Sequence, residues 1–187
     1  MSQSIPNILG ICGSLRKDSN SLAILNTLAE SLKDKAHFRI QRLDDVPLYN
    51  QDLDTPEVLP GVAVLRAAIG AADGIVIVTP EYNYGLPGVV KNALDWASRP
   101  YNQSTLTGKP VLSVSSSPAF TGGVRALAQL NETLLAIGVQ VLSGPQVVIG
   151  TAHEKIRDGR LVDTATLNFL DASFERLFVE IAQIARR

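Results

Sequence analysis

With 187 residues, 45% of them hydrophobic and 19% charged, the chain can bury one sizeable core and is too short for two domains. A formal net charge of −1 leaves no basic footprint for nucleic acid and no polybasic membrane patch, and the composition is not that of a disordered chain. The single cysteine, Cys12, excludes an internal disulfide, so a reducing cytoplasmic setting is expected.

The opening stretch MSQSIPNILG has neither a basic flank nor a long apolar run, which fits that expectation. No window approaches the roughly 18 unbroken apolar residues of a membrane span. Ile8 to Cys12 is a short apolar run that reads as a central strand. After a polar loop, Leu22, Leu25, Leu28, Ala29 and Leu32 recur at helical spacing. His37 to Asp45 alternates apolar and polar residues, as an edge strand does. A Pro- and Asp-rich loop leads to a helical stretch from Val62 to Ala72, and Gly74 to Pro80 (GIVIVTP) is the strongest buried-strand signal in the chain. Leu86 to Ala97 returns to helical period, with Pro87 expected as the first helical residue. KPVLSVSSS predicts another strand and GGVRALAQLNETLLAIG another helix. VQVLSGPQVVIG predicts a last strand region broken at Gly144-Pro145, and a long amphipathic helix runs to Arg186-Arg187. Alternating strands and helices imply parallel strands with helices on both faces. The expectation is one open, doubly wound α/β domain over residues 1–187.

In such a sheet ligands bind beyond the carboxyl ends of the strands. Three loops leave that edge. The first, GICGSLRKDSNS, has almost nothing to fill a core, but Ser14, Arg16, Ser19, Asn20 and Ser21 surround a helix N-terminus whose unpaired amides favour an anion. The simpler alternative is that Ser19 or Asn20 only caps the helix. The loop matches neither the P-loop pattern nor G-x-G-x-x-G, which argues against triphosphate chemistry and a Rossmann dinucleotide site. The second loop carries Pro80, Glu81, Tyr82, Asn83, Tyr84 and Gly85, a flat hydrogen-bonding wall suited to an aromatic ring. Glu81 is the tempting general base there, but a loop carboxylate more often caps or is solvated, and it is given no catalytic role. The third loop begins with Ser115, Ser116 and Ser117 and opens the next helix at Gly122-Gly123, offering donors to the polar edge of a heterocycle. Phosphate donors, a ring platform and edge donors together describe a mononucleotide site with a large planar head group, namely FMN.

GSLRKDS, TPEYNYGLPGVVKNALDWAS and GGVRA, in this order and spacing, resemble the NADPH-dependent FMN reductases of flavodoxin-like fold, which include quinone, azo-dye and chromate reductases. The resemblance covers nearly the whole chain. It implies non-covalent FMN, a five-stranded sheet of order 2-1-3-4-5, and a homodimer or homotetramer. By matching position it puts Ser14, Arg16 and Ser19 on the phosphate, Glu81 to Tyr84 against the isoalloxazine, Ser116 and Ser117 at its pyrimidine side, and Arg125 near a subunit contact. Two positions depart from the pattern. Ser21 stands where relatives have asparagine, which implies rearranged phosphate contacts, and Pro118-Ala119-Phe120 makes the loop before Gly122 stiffer and bulkier.

The implied activity is hydride transfer from NADPH or NADH to FMN, then electrons to quinones, azo dyes or chromate. No side chain needs to be acid, base or nucleophile, and the residues agree. There are two histidines, His37 and His153, no G-x-S-x-G elbow and no metal-ligand cluster. Cys12 reads as a small hydrophobe in the first strand. An electron carrier like flavodoxin, or a flavin-binding regulatory module, remains the alternative, although a carrier's strongly acidic surface is missing.

Overall fold

The computed structural model describes residues 5–186. Its strands in chain order are β1 (Asn7–Cys12), β2 (His37–Gln41), β3 (Gly74–Pro80), β4 (Pro110–Ser116), β5 (Gln140–Val141) and β6 (Val147–Ile149). The helices between and after them are α1 (Asn20–Ser31), α2 (Pro60–Ala71), α3 (Gly88–Ala97), α4 (Val124–Ile137), the single turn α5 (Ala152–Lys155) and α6 (Thr164–Ile184). The sheet is parallel and runs β2-β1-β3-β4-β5, as the resemblance implies. It differs in one respect. β6 also pairs with β4, so the fifth position is filled by two short strands: β5 beside Pro110 and Val111, β6 beside Val114 to Ser116. The break between them falls at Gly144-Pro145, where proline has no amide to give a ladder.

Side chains of the central strands alternate between two apolar layers. Ile8, Cys12, Val76, Val78, Leu112 and Val114 pack against α1 and α6, with Phe174 fully buried between them. Leu9, Ile11, Ile75, Ile77 and Val111 pack against α2, α3 and α4. Burial on both faces is why β1 and β3 are continuous apolar runs and not alternating ones. β2, with one open edge, keeps the polar alternation of an edge strand. Cys12 is buried in the first layer, as expected of a small hydrophobe.

Helix starts shift from the expected positions by a turn or less. α2 begins at Pro60, and Pro87 precedes the first residue of α3. A hairpin of β7 (Ile156–Arg157) and β8 (Arg160–Leu161) adds to the expected elements. Its turn residues Asp158 and Gly159 both have positive φ, at 50° and 71°, the backbone a tight hairpin requires. Among the described residues no helix is long and apolar enough to cross a membrane.

The long β2–α2 loop is ordered because α3 holds it. Asn92 accepts from the Tyr49 amide at 2.7 Å and donates to Pro47 O at 2.9 Å, while buried Trp96 donates its Nε1 proton to the same carbonyl at 2.8 Å. Further along the loop, Asp54, with its side chain only 7% exposed, receives Arg99 Nε at 2.6 Å and Arg66 Nη2 at 3.2 Å. The Arg99 hydrogen bond, and then that of Arg66, holds the Asp54 carboxyl below its ordinary 3.8. A carboxyl depressed by folding contributes stability that is present above pH 3.8 and is lost as pH falls through the lower folded value. Asp54→Asn therefore destabilises the protein by about 2 kcal/mol at pH 7, because a neutral amide replaces the carboxylate that both guanidinium groups meet. Urea denaturation at pH 7 and pH 3 should show the gap to wild type narrowing in acid.

Candidate functional site

At the carboxyl end of β1 the chain turns sharply beside β3. The Gly13 amide donates to Val78 O at 2.8 Å, and a Cβ on Gly13 would stand 2.8 Å from that oxygen and 2.9 Å from Thr79 Cα. Only glycine fits. Ser14 is buried, its hydroxyl accepts from the Arg16 amide at 3.3 Å and lies 3.4 Å from the Tyr82 hydroxyl. Ser19 caps α1, its Oγ accepting from Leu22 N at 3.1 Å. The first intrahelical bond runs from Ala23 N to Ser19 O, so the Asn20 and Ser21 amides precede the ladder. Ser21 is 1% exposed, and its Oγ has no hydrogen-bond partner among the described residues. Arg16 is exposed and, among the described residues, paired with no carboxylate. Arg42, beyond β2, steadies the loop from outside by donating to Leu15 O at 2.8 Å while Asp44 holds its Nε at 2.7 Å.

The second loop forms a tight turn. Tyr82 and Gly85 exchange both backbone hydrogen bonds, at 3.1 and 3.0 Å, around Asn83 (φ 50°) and Tyr84 (φ 63°). Two consecutive positive φ values define a type I′ turn, which favours asparagine at its first centre and glycine at its second. Here the second centre is a tyrosine, at a backbone cost of about 1–2 kcal/mol. Both tyrosine rings, Tyr82 and Tyr84, are exposed, and the Arg125 guanidinium sits 4.4 Å from the Tyr84 ring centre. Pro80 ends β3 opposite Ser116. Glu81 faces α4: its Oε2 accepts from Arg125 N at 3.0 Å and Ala126 N at 3.1 Å. It caps, as loop carboxylates more often do.

The third loop is fastened by backbone. Ser117 N donates to Ile149 O at 3.1 Å, Ala152 N to Ser117 O at 3.0 Å and Thr151 N to Ala119 O at 3.2 Å. Gly150 touches the Phe120 carbonyl so closely that a side chain there would collide. The Ser117 hydroxyl is used locally, accepting from Ala119 N at 3.2 Å. Ser115 and Ser116 are 0% and 1% exposed, and neither hydroxyl has a partner among the described residues.

All fourteen expected residues thus lie at one edge of the sheet, on three loops and on the ends of β3, β4 and α1 that flank them. Buried hydroxyls without partners are uncommon and call for an explanation; among the described residues Thr105 and Ser113 are such groups away from this edge, and Ser21, Ser115 and Ser116 are such groups at it. Together with the free first-turn amides of α1, the glycine-only approach at Gly13 and the unpaired Arg16, they fit a phosphate and the polar edge of a ring. Both histidines lie off these loops, His37 at the amino end of β2 and His153 in α5. No group of three or more His, Cys, Asp or Glu capable of holding a metal occurs among the described residues. Arg42 and Gln129 escape sequence reasoning because their contacts join distant segments and carry no local pattern. Gln129 accepts from Leu86 N at 2.8 Å.

The model of NADPH-dependent FMN reductases matches residues 6–154. The chain is 36% identical to an NAD(P)H-dependent FMN reductase of Pseudomonas aeruginosa, covering 91% of this chain and 92% of that protein. It is 37% identical to a quinone reductase of Escherichia coli, over 87% of this chain and 88% of that one. Among solved structures it resembles FerB, a flavoenzyme NAD(P)H:(acceptor) oxidoreductase of Paracoccus denitrificans, with a TM-score of 0.78 and 34% identity over 96% of this chain and 98% of that chain. The chain belongs to the NADPH-dependent FMN reductase family.

Proposed function

We propose that this protein binds FMN across the three loops and, with NAD(P)H as donor, reduces quinones and similar small acceptors. The observation that carries the site assignment is the set of partnerless buried hydroxyls on Ser21, Ser115 and Ser116, at the strand and helix ends where a mononucleotide would lie. Bound FMN supplies hydride and electron transfer between donor and acceptor. The chain's own residues bind and orient. Ser14, Ser19, the Asn20 and Ser21 amides and the Ser21 hydroxyl surround the phosphate, and Arg16 adds the cation. Pro80 to Gly85 form the wall beside the ring, and Ser115 to Ser117 meet its polar edge. The exposed Tyr82, Tyr84 and Phe120 surround an open face at which donor and acceptor alternate. A cytoplasmic homodimer or homotetramer is part of the same proposal, the oligomer supported by the exposed Leu48. Sedimentation equilibrium tests it, and a monomer would refute that part.

The first test is the visible spectrum of the purified protein before and after anaerobic NADPH. A flavin spectrum that bleaches, followed by steady NADPH oxidation with a quinone, is the expected result. A flavin that NADPH leaves unchanged would replace the enzyme with a carrier or sensor, and a protein that takes up no FMN would refute the site. The second test is Ser21→Ala. Because the hydroxyl makes no hydrogen bond among the described residues, the flavin-free melting temperature should stay within about a degree or two, while the FMN dissociation constant rises about tenfold, or about 1.4 kcal/mol.

A further inference from the structure

The α4 N-terminus has no cap of its own. Its N-cap is Gly123 at φ 85°, no side chain there accepts a first-turn amide, and no acidic residue lies in the first turn. The cap comes instead from Glu81, 44 residues away from Arg125 in sequence, whose carboxylate takes the Arg125 and Ala126 amides. Gly123 permits this approach, since a Cβ there would already be 3.3 Å from Glu81 Cβ. A full turn further along α4, Gln129 receives the Leu86 amide. Between these points Arg125 stacks on Tyr84. One helix therefore holds the β3–α3 turn before, at and after its two left-handed residues, Asn83 and Tyr84. A bulky residue at positive φ persists only where its surroundings over-determine it, and here the surroundings are α4.

We propose that α4 is a clamp on the flavin-facing turn, in which Glu81 and Gln129 are positioning residues that hold Tyr82 to Gly85 in a strained shape. This rests on the reading that the turn faces FMN. Glu81 acts through its two amide contacts, as acceptor in both, and exchanges no proton. An amide side chain can supply the same acceptor, so charge is dispensable and the oxygen is not. The clamp and the strain are also coupled: once Tyr84 is replaced by glycine, which adopts positive φ freely, there is less for the clamp to hold.

The test compares Glu81→Ala, Glu81→Gln, Gln129→Ala and Tyr84→Gly, each as the full chain, with and without FMN. Expected are about a tenfold rise in the FMN dissociation constant for Glu81→Ala and Gln129→Ala, and rescue to within about threefold by Glu81→Gln, which also keeps the wild-type pH profile of kcat/KM. In the flavin-free protein the melting temperature should fall with Glu81→Ala, rise with Tyr84→Gly, and fall by less when Glu81→Ala is made on the Tyr84→Gly background. Equal losses for Gln and Ala at position 81, with one limb of the pH profile gone, would overturn the proposal in favour of proton transfer. Additive melting shifts in the cycle would overturn the clamp. If Glu81→Ala does not fold, Gln129→Ala and its cycle with Tyr84→Gly decide alone. Failure of FMN binding in the wild type would sink the flavin reading, while the flavin-free melting cycle would still support or overturn the clamp by itself.

Discussion

In a parallel sheet every crossover helix begins at the same edge, so unpaired helix amides accumulate there and must be met by something. The rest of this structure follows from how that demand is met. The α3 amides open towards water at the exposed Gly88. Those of α4 are taken by Glu81 from the neighbouring loop. At α1 only Leu22 is capped, and the remaining first-turn amides sit among buried serines beside an unpaired arginine. The three helices differ in what satisfies them, and α1 is the one whose first turn carries a partnerless buried serine hydroxyl beside an arginine with no carboxylate partner among the described residues. That difference, more than any motif, is the argument for putting the phosphate end of the site at α1.

The same edge also shows how rigidity is distributed. Gly13, pressed against Val78 and Thr79, fixes the phosphate loop to β3 by backbone contact alone. The aromatic turn, by contrast, is held by side chains of α4 and by Glu81 reaching to it. One wall of the site is therefore set by the sheet and the other by a helix packed against it. Neither is a free loop, which agrees with chemistry that needs orientation of two flat rings and no mobile acid or base.

How much of this can be read from the residues varies with distance along the chain. The central strands are legible because GIVIVTP and its counterparts are buried on both faces, and the helices because their apolar residues recur at 3.6-residue spacing. The three loops are legible because small hydroxyl residues, glycines and tyrosines gather where helices begin. The split of the fifth strand into β5 and β6 is signalled only as a break at Gly144-Pro145, since strands this short carry no period. Asp158-Gly159 is a hairpin signature, yet its flanking strands are too brief to alternate. The Asp54 ion pairs, the Arg42 strut and the α4 contacts of Glu81 and Gln129 leave no trace, because each joins residues that only the fold makes neighbours. For Glu81, chemistry can say only that a loop carboxylate tends to cap something.

Pro118 and Phe120 suggest a stiff third loop, but its stiffness has another source. Its anchors are main-chain atoms of Ser117, Ala119, Ile149, Thr151 and Ala152, and the Phe120 side chain is 87% exposed. Side chains at 118 to 121 can therefore change without loosening the loop, provided Gly122 and Gly150 keep their close approaches. Such a segment separates evolvability from stability. New acceptors could be accommodated by substitution at the rim of the site while the frame that holds the cofactor stays as it is.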